Sequence, residues 1–127
     1  MVLPRGVNPL VARFLAYHKH LLPIRGFKTI RTDDIVAVGV VDTQSKDRLG
    51  PAEKWLQAAE RVVVVDHHTG VVGNIKPDET IVEPVGSAST VLVERLRAAN
   101  ASLSQTEATL FALGIRTDTG SLLFPAT

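Results

Sequence analysis

Four consecutive valines, Val62 to Val65, run directly into Asp66-His67-His68. An unbroken β-branched run cannot serve a half-solvated sheet, because every second side chain would face water. It fits a strand covered on both faces, as in a parallel sheet with helices packed on it. The carboxyl ends of such strands open into the crevice where ligands bind. One carboxylate and two imidazoles stand at that end, and these are donors suited to a divalent metal.

A second apolar run repeats the arrangement. Ile35-Val36-Ala37-Val38-Gly39-Val40-Val41 ends at Asp42 and is followed by Thr43-Gln44-Ser45. If the two strands are parallel and central, Asp42 and His67 emerge on the same edge of the sheet. Asp118 is a third candidate, in Gly114-Ile115-Arg116-Thr117-Asp118-Thr119-Gly120, where a helical pattern gives way to a polar turn.

The rest of the chain alternates helix and strand signals. Asn8-Pro9 predicts a helix start, a capping Asn before Pro at the first helical position. Leu10, Val11, Phe14, Leu15 and His18 then recur at helical spacing until Pro23. Phe27 to Ile30 reads as a short edge strand. Asp47 to Gly50 leads into a helix carrying Trp55, Leu56 and Ala59, with Trp55 in the core. Thr69 to Glu79 is a polar loop, and Thr80 to Glu83 a short strand ended by Pro84. Ser87 can cap a helix containing Val91, Leu92, Val93, Leu96 and Ala99, with Asn100 as its stop. Ser104-Gln105-Thr106-Glu107 is a capping box opening a last helix. Strands alternating with helices imply an α/β fold with a mostly parallel sheet flanked by helices.

Composition narrows the function. At 127 residues the chain is one domain at most. Fourteen basic and thirteen acidic residues leave a formal charge of +1, which is no electrostatic footprint for duplex DNA. A small anionic substrate held through a metal needs none. The chain has no cysteine, so disulfides, zinc–thiolate sites and a cysteine nucleophile are excluded. No apolar run reaches the roughly 20 residues of a membrane span. Met1-Val2-Leu3 meets Pro4 and Arg5 at once and is not a secretory signal. A cytoplasmic setting is favoured; an organelle would require a targeting segment upstream in a longer protein.

These motifs, in this order, resemble the DHH phosphoesterases. That family includes RecJ-type exonucleases, oligoribonucleases, cyclic-dinucleotide phosphodiesterases and family II inorganic pyrophosphatases. Val41-Asp42-Thr43-Gln44-Ser45 is similar to the second family motif, and Asp66-His67-His68 to the signature. Gly86-Ser87-Ala88-Ser89-Thr90 is similar to the segment opening the next helix. Gly114 to Gly120, with its Thr-Asp-Thr-Gly core, is similar to the fourth motif. The likeness spans residues 35–124. Leu3-Pro4-Arg5-Gly6-Val7-Asn8-Pro9 and the run from Val62 to Asn74 resemble a subgroup in particular. In its long bacterial or plant proteins a DHH domain is joined to CBS domains and a tRNA nucleotidyltransferase or poly(A) polymerase-like domain.

The resemblance implies a Rossmann-like fold and phosphodiester hydrolysis with Mn²⁺ on short RNA or a small nucleotide. Two ions roughly 3.5–4 Å apart would activate the water and stabilise both oxygens of the displacement. Asp42 would bridge the ions, and His67 and Asp118 would bind one of them. Asp66 would sit behind the ligands and orient His67. His68 would face the phosphoryl group as donor or general acid. Gly86, Ser87, Ser89 and Arg116 would contact the substrate, with backbone N–H groups at the helix start aimed at its phosphate.

Two departures qualify this. The family's first motif, an Asp-x-Asp after a first strand, is not seen, and the second, substrate-binding lobe does not follow. The expectation is therefore a partial DHH domain that binds one ion weakly or none, with catalysis impaired. A non-catalytic nucleotide-binding or regulatory DHH module of a tRNA nucleotidyltransferase-like protein is the alternative. Uncovered apolar surface would favour self-association. His18 and His20 read as cationic caps at a helix end, and Arg116 otherwise reads as a surface salt-bridge residue.

Overall fold

In a computed structural model describing residues 1–3 and 6–124, the valine run forms the middle of a parallel sheet. Pro4 and Arg5, from the Leu3–Pro9 stretch singled out above, lie outside the described residues. The strands are β1 (Ala37–Val41), β2 (Arg61–Asp66) and β3 (Glu79–Val82), in the order β1-β2-β3. Ala37 pairs with Arg61 and Val41 with Val65; Val63 pairs with Glu79 and Asp66 with Val82. The Asp42 N–H donates to the Val65 carbonyl at 2.9 Å, extending the ladder one residue past β1. That bond sets Asp42 beside Asp66 at the carboxyl edge, as the two apolar runs predicted.

Helices α1 (Pro9–His18), α2 (Trp55–Ala58), α3 (Ala88–Ala98) and α4 (Gln105–Asp118) complete the regular elements. α3 packs on β2, α4 on α3, and α1 on α4. The core is Val40, Val62, Val64, Val65, Ala88 and Val91, with Leu15, Leu22 and Trp55 around it. Trp55 stacks on Phe27 with ring centroids 4.8 Å apart. This is an α/β architecture with a small parallel sheet flanked by helices.

Cap chemistry places the helix starts. Asn8 Oδ1 accepts from the Leu10 N–H, with Pro9 at the first position. Ser87 accepts from the Thr90 N–H, and Ser104 and Glu107 close the capping box in both directions. Ser104→Ala is expected to cost about 1 kcal/mol of stability, read from a urea unfolding midpoint; an unchanged midpoint would show that α4 is held by packing alone.

Several sequence expectations are corrected. Phe27–Thr29 is a 3₁₀ turn and not an edge strand, because Phe27 turns inward to stack on Trp55. Among the described residues β1 is an edge strand and not a central one. The residues flanking it, Val36 and Asp42, bond toward β2, so by alternation Ala37, Gly39 and Val41 direct their backbone groups outward. β1 begins at Ala37 and β3 at Glu79, each shifted from the predicted bounds. Before Trp55 the chain is 3₁₀ from Gly50 to Lys54, with only Trp55–Ala58 α-helical. The crossover from β2 to β3 carries no helix; its segment around Gly73, Ile75 and Pro77 borders Val64 and Thr80.

Candidate metal centre

Asp42 ends β1 in the left-handed region, at φ 65. For a residue with a Cβ that conformation costs about 1–3 kcal/mol and collects at functional sites. Asp tolerates it better than most, because its short carboxylate finds local partners. The turn brings Asp42 Oδ1 to 3.3 Å from His67 Nε2.

His67 follows β2 and is fixed from behind. Its Nδ1 lies 2.9 Å from the Val85 carbonyl, in the turn after β3. A carbonyl only accepts, so Nδ1 carries the proton, and in the neutral ring Nε2 is left as a bare acceptor. In that neutral ring Nε2 faces a carboxylate oxygen lone pair toward lone pair; in the imidazolium the same nitrogen donates to it. A cation between the two atoms turns that opposition into attraction. Val85 does for the ring what a residue behind a metal-bound imidazole does, fixing tautomer and orientation. No side-chain signal in the sequence marks it, because it acts through its backbone.

Asp66 is buried, 1% exposed, and its carboxylate is saturated. Oδ1 accepts from the His67 N–H at 2.8 Å, from His68 Nδ1 at 2.7 Å and, weakly, from the His68 N–H at 3.4 Å. Oδ2 accepts from Gln44 Nε2 at 3.0 Å. Burial opposes ionisation, but the bonds from His68, Gln44 and the two amides outweigh it and hold the carboxyl below its ordinary range. The ring that Asp66 orients is thus that of His68, a correction to the expected pairing with His67. His68 is half-exposed, and its ring centroid lies 4.2 Å from that of His67.

Asp42, Asp66, His67 and His68 each offer one ligand atom within 4.8 Å of one another. Among the described residues this is a cluster able to hold a divalent cation, and its oxygen–nitrogen donor set fits Mn²⁺ among other ions. Asp118, the last residue of α4, borders the cluster without joining it. Burial raises its pKa and Asp42 adds to that, while His67 and His68 pull the other way. A raised acid works against folding when ionised; the cost is present above its folded pKa and vanishes as pH falls below the ordinary value of 3.8. Asp118→Asn should therefore raise the metal-free unfolding free energy at pH 7, by well under about 1 kcal/mol since the group is partly exposed, and leave it unchanged near pH 3. No difference at pH 7 would mean Asp118 does not feel the cluster.

The remaining predicted residues are placed differently. Ser87 is fully buried, with its hydroxyl engaged by the Thr90 N–H and 2.9 Å from Thr90 Oγ1. Any contact it makes with a substrate comes from the backbone. The Ser89 hydroxyl lies against Gly114 where α3 crosses α4. Arg116 donates through Nε to Ser121 Oγ at 3.1 Å, in place of the surface ion pair expected. With Ile115, Ser121 and Leu122 it lines an open hollow of about 410 Å³. His18 stacks on Phe14 at the end of α1, with Nδ1 3.0 Å from the Phe14 carbonyl.

The Asp-His-His cluster stands at the carboxyl edge of the parallel sheet, where the motifs that resemble the DHH phosphoesterases placed it. No model of a known protein family matches the sequence. The chain is 35% identical over 115 residues to an A-adding tRNA nucleotidyltransferase of Geobacter sulfurreducens, covering 90% of this chain and 13% of that protein. It is 33% identical over 94 residues to an A-adding tRNA nucleotidyltransferase of Aquifex aeolicus, covering 74% and 11% respectively. The chain thus spans about an eighth or less of these relatives. Among solved structures, an exopolyphosphatase-related protein from Bacteroides fragilis shares the fold, with TM-score 0.78 and 16% identity. That match covers 99% of this chain and 38% of the other. The two relatives are tRNA nucleotidyltransferases, the type of protein that the subgroup resemblance named.

Proposed function

We propose that this chain is a metal-dependent phosphoesterase domain that hydrolyses phosphodiester bonds in short RNA or small nucleotides, with Mn²⁺ as the ion. The observation that carries this reading is the opposition of His67 Nε2 and Asp42 Oδ1 at 3.3 Å, beside a His68 ring held by buried Asp66. Asp42 and His67 would hold the metal, with Asp118 beside them. When bound, the ions polarise the phosphoryl group and activate water.

The chain's own groups supply the rest. Asp66 keeps the His68 proton on Nδ1, so Nε2 is the atom that exchanges a proton with the reacting oxygens. The anionic Asp66 stabilises the imidazolium that His68 becomes, and Gln44 keeps Asp66 from turning away. The start of α3, at Gly86, Ser87 and Ser89, offers backbone N–H groups and the positive end of the helix dipole to a phosphate. Arg116 adds a cation near the end of α4.

A second reading is non-catalytic: a module that holds a nucleotide within a tRNA nucleotidyltransferase-like protein. The names of the two relatives favour it, as does the small share of their length that this chain matches. Incubating the chain with a short RNA oligonucleotide and Mn²⁺ separates the two. Turnover that disappears in Asp42→Asn and His67→Ala supports hydrolysis; nucleotide binding without turnover supports the module; neither would overturn both.

A further inference from the structure

We propose that Gln44 is a positioning residue, the pin that locks the loop after β1 to the loop after β2 and so sets the orientation of His68. The proposal rests on the role given above to the His68 ring. Gln44 uses both ends. Its Nε2 donates to Asp66 Oδ2 at 3.0 Å and to the His68 carbonyl at 2.9 Å. Its backbone carbonyl accepts from the Asn74 N–H at 3.1 Å and the Ile75 N–H at 3.3 Å. One side chain thus touches both the acid that holds the His68 ring and the backbone that carries it.

Neighbouring contacts tighten the same junction. Asn74 Oδ1 accepts from the Lys46 N–H at 2.7 Å, and Asn74 Nδ2 donates to Asp47 Oδ2 at 3.1 Å. Gly73 lets the two loops meet: a Cβ there would stand 2.7 Å from both Gln44 Cβ and the Gln44 carbonyl oxygen. Asp66 Oδ1 accepts from the His67 N–H and from His68 Nδ1, and Oδ2 accepts from Gln44. Without that amide the carboxylate can rotate about its terminal torsion, which is broad, and His68 Nδ1 loses its fixed acceptor. A carboxylate oriented by an amide, in turn orienting an imidazole, is the arrangement that fixes which ring nitrogen carries the proton.

The test reads the ring directly and needs neither metal nor substrate. In the ¹⁵N-labelled full chain at a pH where His68 is neutral, the two ring nitrogens report the tautomer. The parent is expected to show His68 in a single state protonated at Nδ1. Gln44→Leu, which keeps the volume and removes the donor, is expected to show His68 as an exchanging mixture while His67, held by Val85, keeps its tautomer. Gln44→Asn retains the amide but is one methylene too short; it should resemble Gln44→Leu, and it carries the test should the leucine variant fail to fold. A His68 ring that stays in one Nδ1-protonated state in the folded variants overturns the assignment. Because hydrolysis is not the readout, a failure here is distinct from a failure of the phosphoesterase reading.

Discussion

The His67→Ala chain is expected to bind Mn²⁺ at least about a hundredfold more weakly than the parent, a loss of roughly 2.7 kcal/mol or more. Removing the imidazole deletes the nitrogen that faces Asp42 and takes one donor from the cluster. Asp42→Asn is the sharper partner experiment. Asparagine also tolerates the left-handed backbone that Asp42 adopts at φ 65, so fold and strain are kept while the charge is lost. Both losses should appear in a calorimetric Mn²⁺ titration. An affinity unchanged in both variants would place the ion elsewhere and end the assignment of this cluster as the metal centre.

The second large effect is on stability. Asp66→Ala should lower the unfolding free energy by about 1–3 kcal/mol, the range for leaving buried donors unsatisfied. The carboxylate is 1% exposed and accepts from Gln44, the His67 amide and the His68 ring. Removing it strands those donors together. The pH dependence follows from the sign of the shift. The Asp66 pKa is lowered on folding, so its stabilisation is complete well above the unfolded value of 3.8 and is lost as pH falls through the lower folded value. Parent and variant stabilities, measured by urea unfolding, should be far apart at pH 6–7 and converge in acid below pH 3.8. A gap that stays constant with pH would mean that Asp66 acts through packing and not through its charge.

The site was legible where chemistry follows strand ends. Two apolar runs, each stopping at a carboxylate, were enough to place Asp42 and His67 on one edge, because parallel strands in register end together. The caps at Asn8, Ser87 and Ser104 were legible as well, since capping is a local contest between a side-chain oxygen and the backbone. Phe27 to Ile30 was misread because its strand-like apolar pattern serves a different purpose, the stacking of Phe27 on Trp55 across 28 positions of sequence. The packing of the Ser89 hydroxyl against Gly114, where α3 crosses α4, carries no local signal in the sequence.

By itself the sequence determined the donors: which residues can bind a cation, and that two strands carry them to a common edge. Period and composition decide this, and both are properties of the chain before it folds. Only the tertiary structure decided what each donor does. The Val85 carbonyl selects the proton-bearing nitrogen of His67, Asp66 turns to His68 and not to His67, and Gln44 holds Asp66 in place. The first and last of those choices depend on hydrogen bonds between segments 18 to 24 positions apart, of which one partner is often a backbone group. A backbone carbonyl carries no signature in an amino-acid sequence, and its direction exists only once the turn that bears it has formed.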